Sequence, residues 1–307
     1  MARKLRIQYE GAIYHVINRG NYRRDVFESV GAAQAFLEVL GEACTQHRWK
    51  LHAYVVMRNH YHLAVETPEP NLIEGMHWLQ STFATRFNRF RNERGHLFQG
   101  RYQALLVENA AAVLRVTNYI HLNPVRAKVV PTEHVAAFRW SSLPRLVKAG
   151  RPSWLVAKDL LEQLCLTDTP EGWRSYVDYL ITVSGDPAEQ ERQGFGEMSR
   201  GWAIGTAGWR RAIARDHAHL ALSAGIESDE LREIKAVRYV EMLERILLEA
   251  GKTPAELQAD AHGAPWKIAA ASRLRLEVGA PYPWIATALN MGSPSSVRVY
   301  LSAARRN

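Results

Sequence analysis

The stretch MRNHYHLAVETP, residues 57–68, decides how the first half of this chain folds. It predicts a strand over 60–66, ended by a Thr-Pro pair, because aromatic and branched residues alternate with polar ones. Residues 50–57, KLHAYVVM, predict the preceding strand, and Arg-Asn at 58–59 is short enough to join the two as a hairpin.

The same stretch carries two histidines, His60 and His62, on either side of Tyr61. Residues two apart on a strand face the same side of a sheet, so both imidazoles would lie together while Tyr61 points to the opposite layer. Two neighbouring imidazoles can bind a divalent cation if another part of the fold supplies further ligands. Strand histidines that form ordinary hydrogen bonds would show the same pattern.

Further elements are predicted on both sides of this hairpin. Apolar residues at strand or helix spacing indicate a strand over 12–18, helices over 30–48 and 71–91, a strand over 102–108 and a helix over 110–122 that Pro124 ends. This order favours an α+β fold with an antiparallel sheet and helices packed on one face.

The remainder of the chain has a different pattern. Residues 149–228 predict a helical and irregular linker region with many glycines, and 229–307 predict an all-α region. The first domain would then span 1–148. No apolar run approaches the length of a membrane span, and a cytoplasmic protein is expected.

The predicted helix over 110–122 carries a second chemical pattern. Tyr119 and Asn123 are four residues apart and would share one face of the helix if it continued that far. The amide oxygen could complete the coordination of a hard cation such as Mg²⁺ or Mn²⁺. The phenol oxygen could attack a phosphate held there and store the bond energy as a phosphotyrosine. A lone tyrosine on an amphipathic helix is otherwise typical of a packed aromatic side chain.

Three blocks of sequence occur together in a specific order: MRNHYHLAVETP, GHLFQGRYQALLVEN at 95–109 and NYIHLNPVRAKVV at 118–130. With them the chain resembles the REP-associated single-tyrosine transposases of the HUH endonuclease class, over about residues 8–145. One departure is Tyr61, where an aliphatic residue is more usual.

This resemblance implies a fold and a set of roles. It implies a ferredoxin-like catalytic fold, His60 and His62 as metal ligands, Asn123 as the residue that completes the metal site, and Tyr119 as the nucleophile. It also implies a Mg²⁺ or Mn²⁺ cofactor and single-stranded DNA hairpins from repetitive extragenic palindromes as the substrate. The intermediate would be a 5′-phosphotyrosine with a free 3′-hydroxyl.

Basic residues predict how DNA would be held. The formal charge is +8, which suits a polyanionic partner. Arginines near aromatic side chains are typical of single-strand binding, because guanidinium groups contact phosphates and rings stack on bases. The candidates in the first half of the chain are Arg19, Arg23, Arg24, Arg86, Arg89, Arg94, Arg101 and Arg126.

The C-terminal stretch 283–297 has the rhythm of a helix-turn-helix. A serine, Ser293 or Ser295, would cap a second helix and place Ser296 and Arg298 near its start, where recognition helices contact duplex DNA. A plain three-helix packing unit would also fit this pattern.

Two other function classes remain open from the sequence. A non-catalytic, sequence-specific DNA-binding regulator would use the C-terminal region and tolerate changes at positions 60, 62 and 119. A metal-dependent hydrolase would use water in place of tyrosine and release free DNA ends.

Overall fold

The computed structural model describes residues 7–148, 150–217 and 228–304. The chain divides into two compact units, the first ending at Thr206 and the second beginning at Ala207. The functional division at residues 148 and 228 stays a prediction.

A five-stranded sheet organises the first unit, in the order β2-β3-β1-β4-β5. Neighbours among the first four strands are antiparallel, and β4 pairs in parallel with β5. The predicted α+β class and ferredoxin-like antiparallel sheet are confirmed, and the two-residue fifth strand is an addition. The strands are β1 (Ala12–Arg19), β2 (Lys50–Val56), β3 (His60–Thr67), β4 (Gln103–Val107) and β5 (Ala203–Ile204).

Helices cover both faces of this sheet. They are α1 (Val30–Gln46), α2 (Leu72–Arg91), α3 (Ala110–Arg126), α4 (Leu143–Leu146), α5 (Lys158–Gln163), α6 (Pro170–Gly185) and α7 (Pro187–Arg192). The side chains of Ser29 and Asn109 cap α1 and α3 by accepting backbone amide hydrogen bonds of 3.2 and 3.0 Å.

The prediction of helices on one face holds for α1 and α2 but is wrong for α3. The ring of Tyr61 packs against Phe36 of α1 at a centroid distance of 4.7 Å, on one side of the sheet. The neighbouring strand residue His62 faces the other side and lies 5.5 Å from the ring of Tyr119 in α3. Because side chains alternate along a strand, α3 must cover the opposite face.

Helix α3 also runs past the predicted end at residue 122. Pro124 does not end the helix but lies inside its last turn. A proline there removes only one intrahelical hydrogen bond. The amide of Ala127 still donates to the carbonyl of Asn123 at 2.9 Å, so the turn closes. Asn123 therefore belongs to the same helix as Tyr119.

The described part of the second unit is helical, as predicted. Its helices are α8 (Ala207–Asp216), α9 (Ser228–Glu249), α10 (Pro254–Ala259), α11 (Pro265–Glu277), α12 (Tyr282–Ala288) and α13 (Pro294–Ala304). Lys267 is fully buried, and its ammonium group donates to the carbonyls of Leu257 and Asp260, both at 2.8 Å. Across the described residues of the chain, no helix combines the length and the apolar character that crossing a bilayer requires.

Candidate active site

Two histidines of β3 form the centre of the candidate site. The rings of His60 and His62 lie 5.1 Å apart on the face covered by α3. Burial, with the positive charge of Arg19, lowers the pKa of His60 to about 4. Burial also holds the pKa of His62 well below its usual value. Both rings are therefore neutral at pH 7, and each keeps a nitrogen lone pair.

The lone pair of His60 is directed by Asn59. The Asn59 Oδ1 atom lies 2.7 Å from His60 Nδ1, while the Asn59 amide nitrogen donates to the carbonyl of Arg23 at 3.4 Å. A carboxamide oxygen can only accept, so His60 carries its proton on Nδ1. The lone pair of His60 then lies on Nε2, the nitrogen that could bind a cation.

His15 of β1 determines which nitrogen of His62 carries the lone pair. His15 Nδ1 lies 2.8 Å from the carbonyl of Met198, which can only accept, so Nδ1 carries the proton. Burial lowers the pKa of His15 to about 4, and in this neutral ring Nε2 is an acceptor. His62 Nδ1, at 3.0 Å, must therefore donate to it. This chain of hydrogen bonds leaves the lone pair of His62 on Nε2.

Helix α3 delivers Tyr119 and Asn123 to this pair. The Tyr119 ring lies 5.5 Å from the ring of His62 and 5.7 Å from that of His15. The side chain of Asn123 lies next to His60, and its interaction with that ring opposes the lowering of the His60 pKa by burial. The two residues are each 8% exposed, and the Tyr119 hydroxyl shares a 3.2 Å hydrogen bond with the exposed Ser199. The predicted four residues thus meet at one place.

Two of the predicted arginines lie beside them. Arg126 places its guanidinium 4.8 Å from the centre of the Tyr119 ring. Arg19 lies directly opposite His60 in the β1–β3 pairing, on the same face of the sheet. Both side chains are exposed, and both contribute to lowering the pKa of His62 after burial and the neighbouring histidines. The site is therefore electropositive and accessible to an anion.

The other predicted arginines lie elsewhere in the first unit. Arg86 pairs with Glu42 of α1 through two bonds of 2.7 and 2.8 Å, in the helical layer opposite α3. Arg24 pairs with Glu93 at 2.7 Å. Arg23, Arg89, Arg94 and Arg101 are exposed.

Ser296 and Arg298 belong to the second unit. Ser293 caps α13 by accepting a 3.1 Å hydrogen bond from the amide of Ser296, and a turn through Gly292 connects α12 to α13. The guanidinium of Arg298 lies 5.3 Å from the centre of the Tyr282 ring. The predicted helix, turn and helix are present, while contact with DNA stays a prediction.

The donor set suits a divalent cation. Two neutral imidazoles, each with its lone pair on Nε2, and one carboxamide could provide three ligands and would leave positions for phosphate oxygens. A separate group also offers potential ligand atoms within 4.8 Å of one another, from His52, Glu66 and Asp159. There Lys50 donates to Glu66 at 2.7 Å, so a lysine already balances one of the two carboxylates.

Sequence reasoning missed His15, Met198 and Ser199. The alternation along β1 could have placed His15 on the same face as Arg19. The pairing of β1 with β3 brings that face beside His62, and this register cannot be read from either strand alone. Ser199 lies 80 residues after Tyr119 in the chain. Met198 and Ser199 belong to a glycine-containing segment that shows no periodic pattern.

One family profile matches part of the chain. The profile of the family described as "Transposase IS200 like" matches residues 8–123. No curated protein sequence matches the chain.

Two solved structures are similar over part of the chain. One, described as the REP-associated tyrosine transposase bound to a REP hairpin, is 19% identical with a TM-score of 0.41, covering 52% of this chain and 93% of that chain. The other, a protein described as a transposase from Deinococcus radiodurans R1, is 22% identical with a TM-score of 0.29, covering 41% of this chain and 92% of that chain.

Proposed function

We propose that the chain is a metal-dependent enzyme that cuts and rejoins single-stranded DNA, a proposal supported by the match of residues 8–123 to the profile "Transposase IS200 like". The proposed intermediate is a 5′-phosphotyrosine on Tyr119. Single-stranded hairpins of the REP type are the proposed substrate, because the three sequence blocks resemble the transposases that act on them. His60, His62 and Asn123 are the proposed metal ligands.

One observation carries this proposal: α3 brings both Tyr119 and Asn123 to the two histidines of β3. A packed aromatic side chain would need none of these neighbours. Here the phenol ring lies 5.5 Å from His62, and its hydroxyl shares a hydrogen bond with the hydroxyl of Ser199, a residue exposed to solvent. A DNA phosphate can therefore approach from the side of Ser199.

The reaction follows from these positions. The phenol oxygen of Tyr119 forms a bond to phosphorus, the bond from phosphorus to the 3′ oxygen breaks, and that oxygen leaves as a hydroxyl with the proton that the phenol loses. Arg126 and Arg19 stabilise the charge that develops on the phosphate oxygens. A bound Mg²⁺ or Mn²⁺ would withdraw further charge from the phosphate. A 3′-hydroxyl of another strand can then reverse the step and join the ends.

Covalent trapping tests this proposal. Purified protein with Mn²⁺ and a panel of single-stranded hairpin oligonucleotides is expected to form an adduct that survives denaturing electrophoresis. Tyr119→Phe should abolish the adduct and retain hairpin binding. Tyr282→Phe, in the second unit, is the matched control and should form the adduct normally. An adduct formed by Tyr119→Phe would refute the assignment of the nucleophile.

The same assay separates the alternatives. A hydrolase would release free ends without trapped protein. A non-catalytic regulator would leave every hairpin intact. The turn between α12 and α13 favours an additional role in binding duplex DNA, and we propose this role for Ser296 and Arg298 beside the catalytic one. Loss of duplex binding in Arg298→Ala, with adduct formation retained, would support it.

A further inference from the structure

The loop that follows β1 presents an aromatic side chain to solvent. Tyr22 is 93% exposed, the highest value among the large hydrophobic side chains of the described residues. Its backbone lies in the left-handed region with φ of 52°, and Arg23 follows at 61°. This conformation is unfavourable for residues with a Cβ atom, and side chains at two consecutive positions rarely adopt it.

Backbone hydrogen bonds hold the loop in this conformation. The amide of Gly20 donates to the carbonyl of Asn59 at 2.7 Å, and the amide of Asn21 donates to Leu97 at 2.9 Å. The amide of Arg23 closes the turn onto Gly20 at 2.9 Å. The surrounding structure therefore imposes the turn and keeps the Tyr22 ring outside the core. Such imposed strain is typical of segments that contact ligands.

The loop is joined directly to the candidate active site. One carboxamide, that of Asn59, accepts from His60 Nδ1 at 2.7 Å and donates to the carbonyl of Arg23 at 3.4 Å. Tyr22 precedes Arg23, whose carbonyl contacts the Asn59 side chain. The same side chain contacts His60, a proposed metal ligand. The Asn59 side chain therefore connects the loop that carries Tyr22 to the candidate site.

The other side of the loop adds charge and a second exposed ring. Arg24 pairs with Glu93, which follows the end of α2. Phe90, in the last turn of α2, is 84% exposed. This ion pair joins the loop that carries Tyr22 to the segment that follows Phe90. The same two segments of the chain carry further exposed arginines: Arg19, Arg23, Arg89, Arg91 and Arg94. A positively charged surface with exposed rings suits a single nucleic acid strand better than a protein partner.

We propose that Tyr22 is a stacking platform for a base next to the cleaved phosphate, and that Phe90 stacks on a base further along the same strand. This inference rests on the proposed function for its substrate class, single-stranded DNA. The inference adds which side chains contact the bases: the ring of Tyr22 in the loop after β1 and the ring of Phe90 at the end of α2. Exposed arginines of the same segments would contact the phosphates.

Two oligonucleotides of equal length and charge test the inference. Fluorescence anisotropy would measure the affinity of the full chain for a 20-nucleotide thymidine strand and for an abasic strand of the same length, at one fixed salt concentration. Stacking on an aromatic side chain changes affinity by about 5- to 150-fold per base. Tyr22→Ala is therefore expected to weaken binding to the thymidine strand by at least about fivefold. It should leave binding to the abasic strand unchanged.

Matched variants complete the test. Tyr22→Trp should bind the thymidine strand at least as well as the wild type, since it keeps the ring. Val30→Ala, which changes another exposed side chain of the same unit, should behave as the wild type on both strands. Phe90→Ala, like Tyr22→Ala, should weaken binding to the thymidine strand and leave binding to the abasic strand unchanged.

Two results would overturn the stacking role: equal affinity of Tyr22→Ala and the wild type for the thymidine strand, or an equal loss on both strands. The outcome is independent of the nucleophile. If Tyr119→Phe still formed an adduct while Tyr22→Ala lost thymidine-strand binding, the proposed function would fail and the stacking role would stand. The converse result would remove the stacking role alone.

Discussion

Replacing His15 with leucine is the sharpest test of how the site is built, because His15 touches no expected substrate. The substitution removes the acceptor of His62 Nδ1 at 3.0 Å and the donor to Met198 at 2.8 Å, both buried. Only one tautomer of His62 leaves Nε2 free for a metal, and His15 is what stabilises it. In His15→Leu this tautomer would carry a buried proton without a partner.

The size of the effect follows from that lost bond. A buried donor without a partner costs about 1–3 kcal/mol, which corresponds to about 5- to 150-fold in an equilibrium. Residues that orient metal-binding histidines typically change metal affinity or activity by about 10- to 100-fold. We therefore expect Mn²⁺ affinity to fall by about one to two orders of magnitude. Cleavage should recover when Mn²⁺ is raised to saturation.

Isothermal titration calorimetry measures the Mn²⁺ affinity. The dependence of adduct formation on Mn²⁺ concentration shows whether cleavage recovers at saturation. Thr117→Val, a buried change in α3 that leaves the His15–His62 pair untouched, is the control and should keep the wild-type affinity. His15→Gln, which retains a donor and an acceptor, should recover part of the loss. Unchanged Mn²⁺ affinity in a folded His15→Leu protein would refute the hydrogen-bond chain as the cause of the His62 orientation.

Two further predictions concern charge. Arg126→Ala should slow adduct formation on the order of 10²-fold, because its guanidinium lies over the Tyr119 ring beside the developing phosphate charge. Arg86→Ala should leave the rate near that of the wild type, because this arginine pairs with a glutamate in the opposite helical layer, and equal rates for the two variants would contradict the placement. The hydrogen bond from His52, with that from a lysine, lowers the pKa of Glu66 to about 2 from 4.5. Because the pKa of this carboxyl is lower in the folded state than in the unfolded state, the Glu66 carboxylate stabilises the fold above pH 4.5. Its contribution to the free energy of unfolding, up to about 3 kcal/mol, disappears as the pH falls towards 2. Urea unfolding across this pH range should show a flatter profile for Glu66→Gln, and identical profiles would exclude the ion pair as a source of acid sensitivity.

Local sequence patterns were enough to predict most of the helices and strands and the chemical types at the site. Alternation around His60 and His62 is local, so a strand with both rings on one face follows from a few residues. The spacing of Tyr119 and Asn123 determines that they share a helical face for the same reason. Ser293 was one of two serines expected to cap the last helix, and local hydrogen bonding of a hydroxyl to an amide explains why it does.

Which faces of these helices and strands meet depends on long-range packing. Whether α3 covers the histidine face or the Tyr61 face depends on packing between elements far apart in the chain, and the sequence favoured a single helical layer. The contact of His15 with His62 arises from strand register, and that of Met198 and Ser199 with the site arises from a segment that returns to the sheet after α7. Such contacts depend on shape and on buried hydrogen bonds between segments far apart in the chain. A periodic pattern along one segment does not indicate which distant segment it will contact.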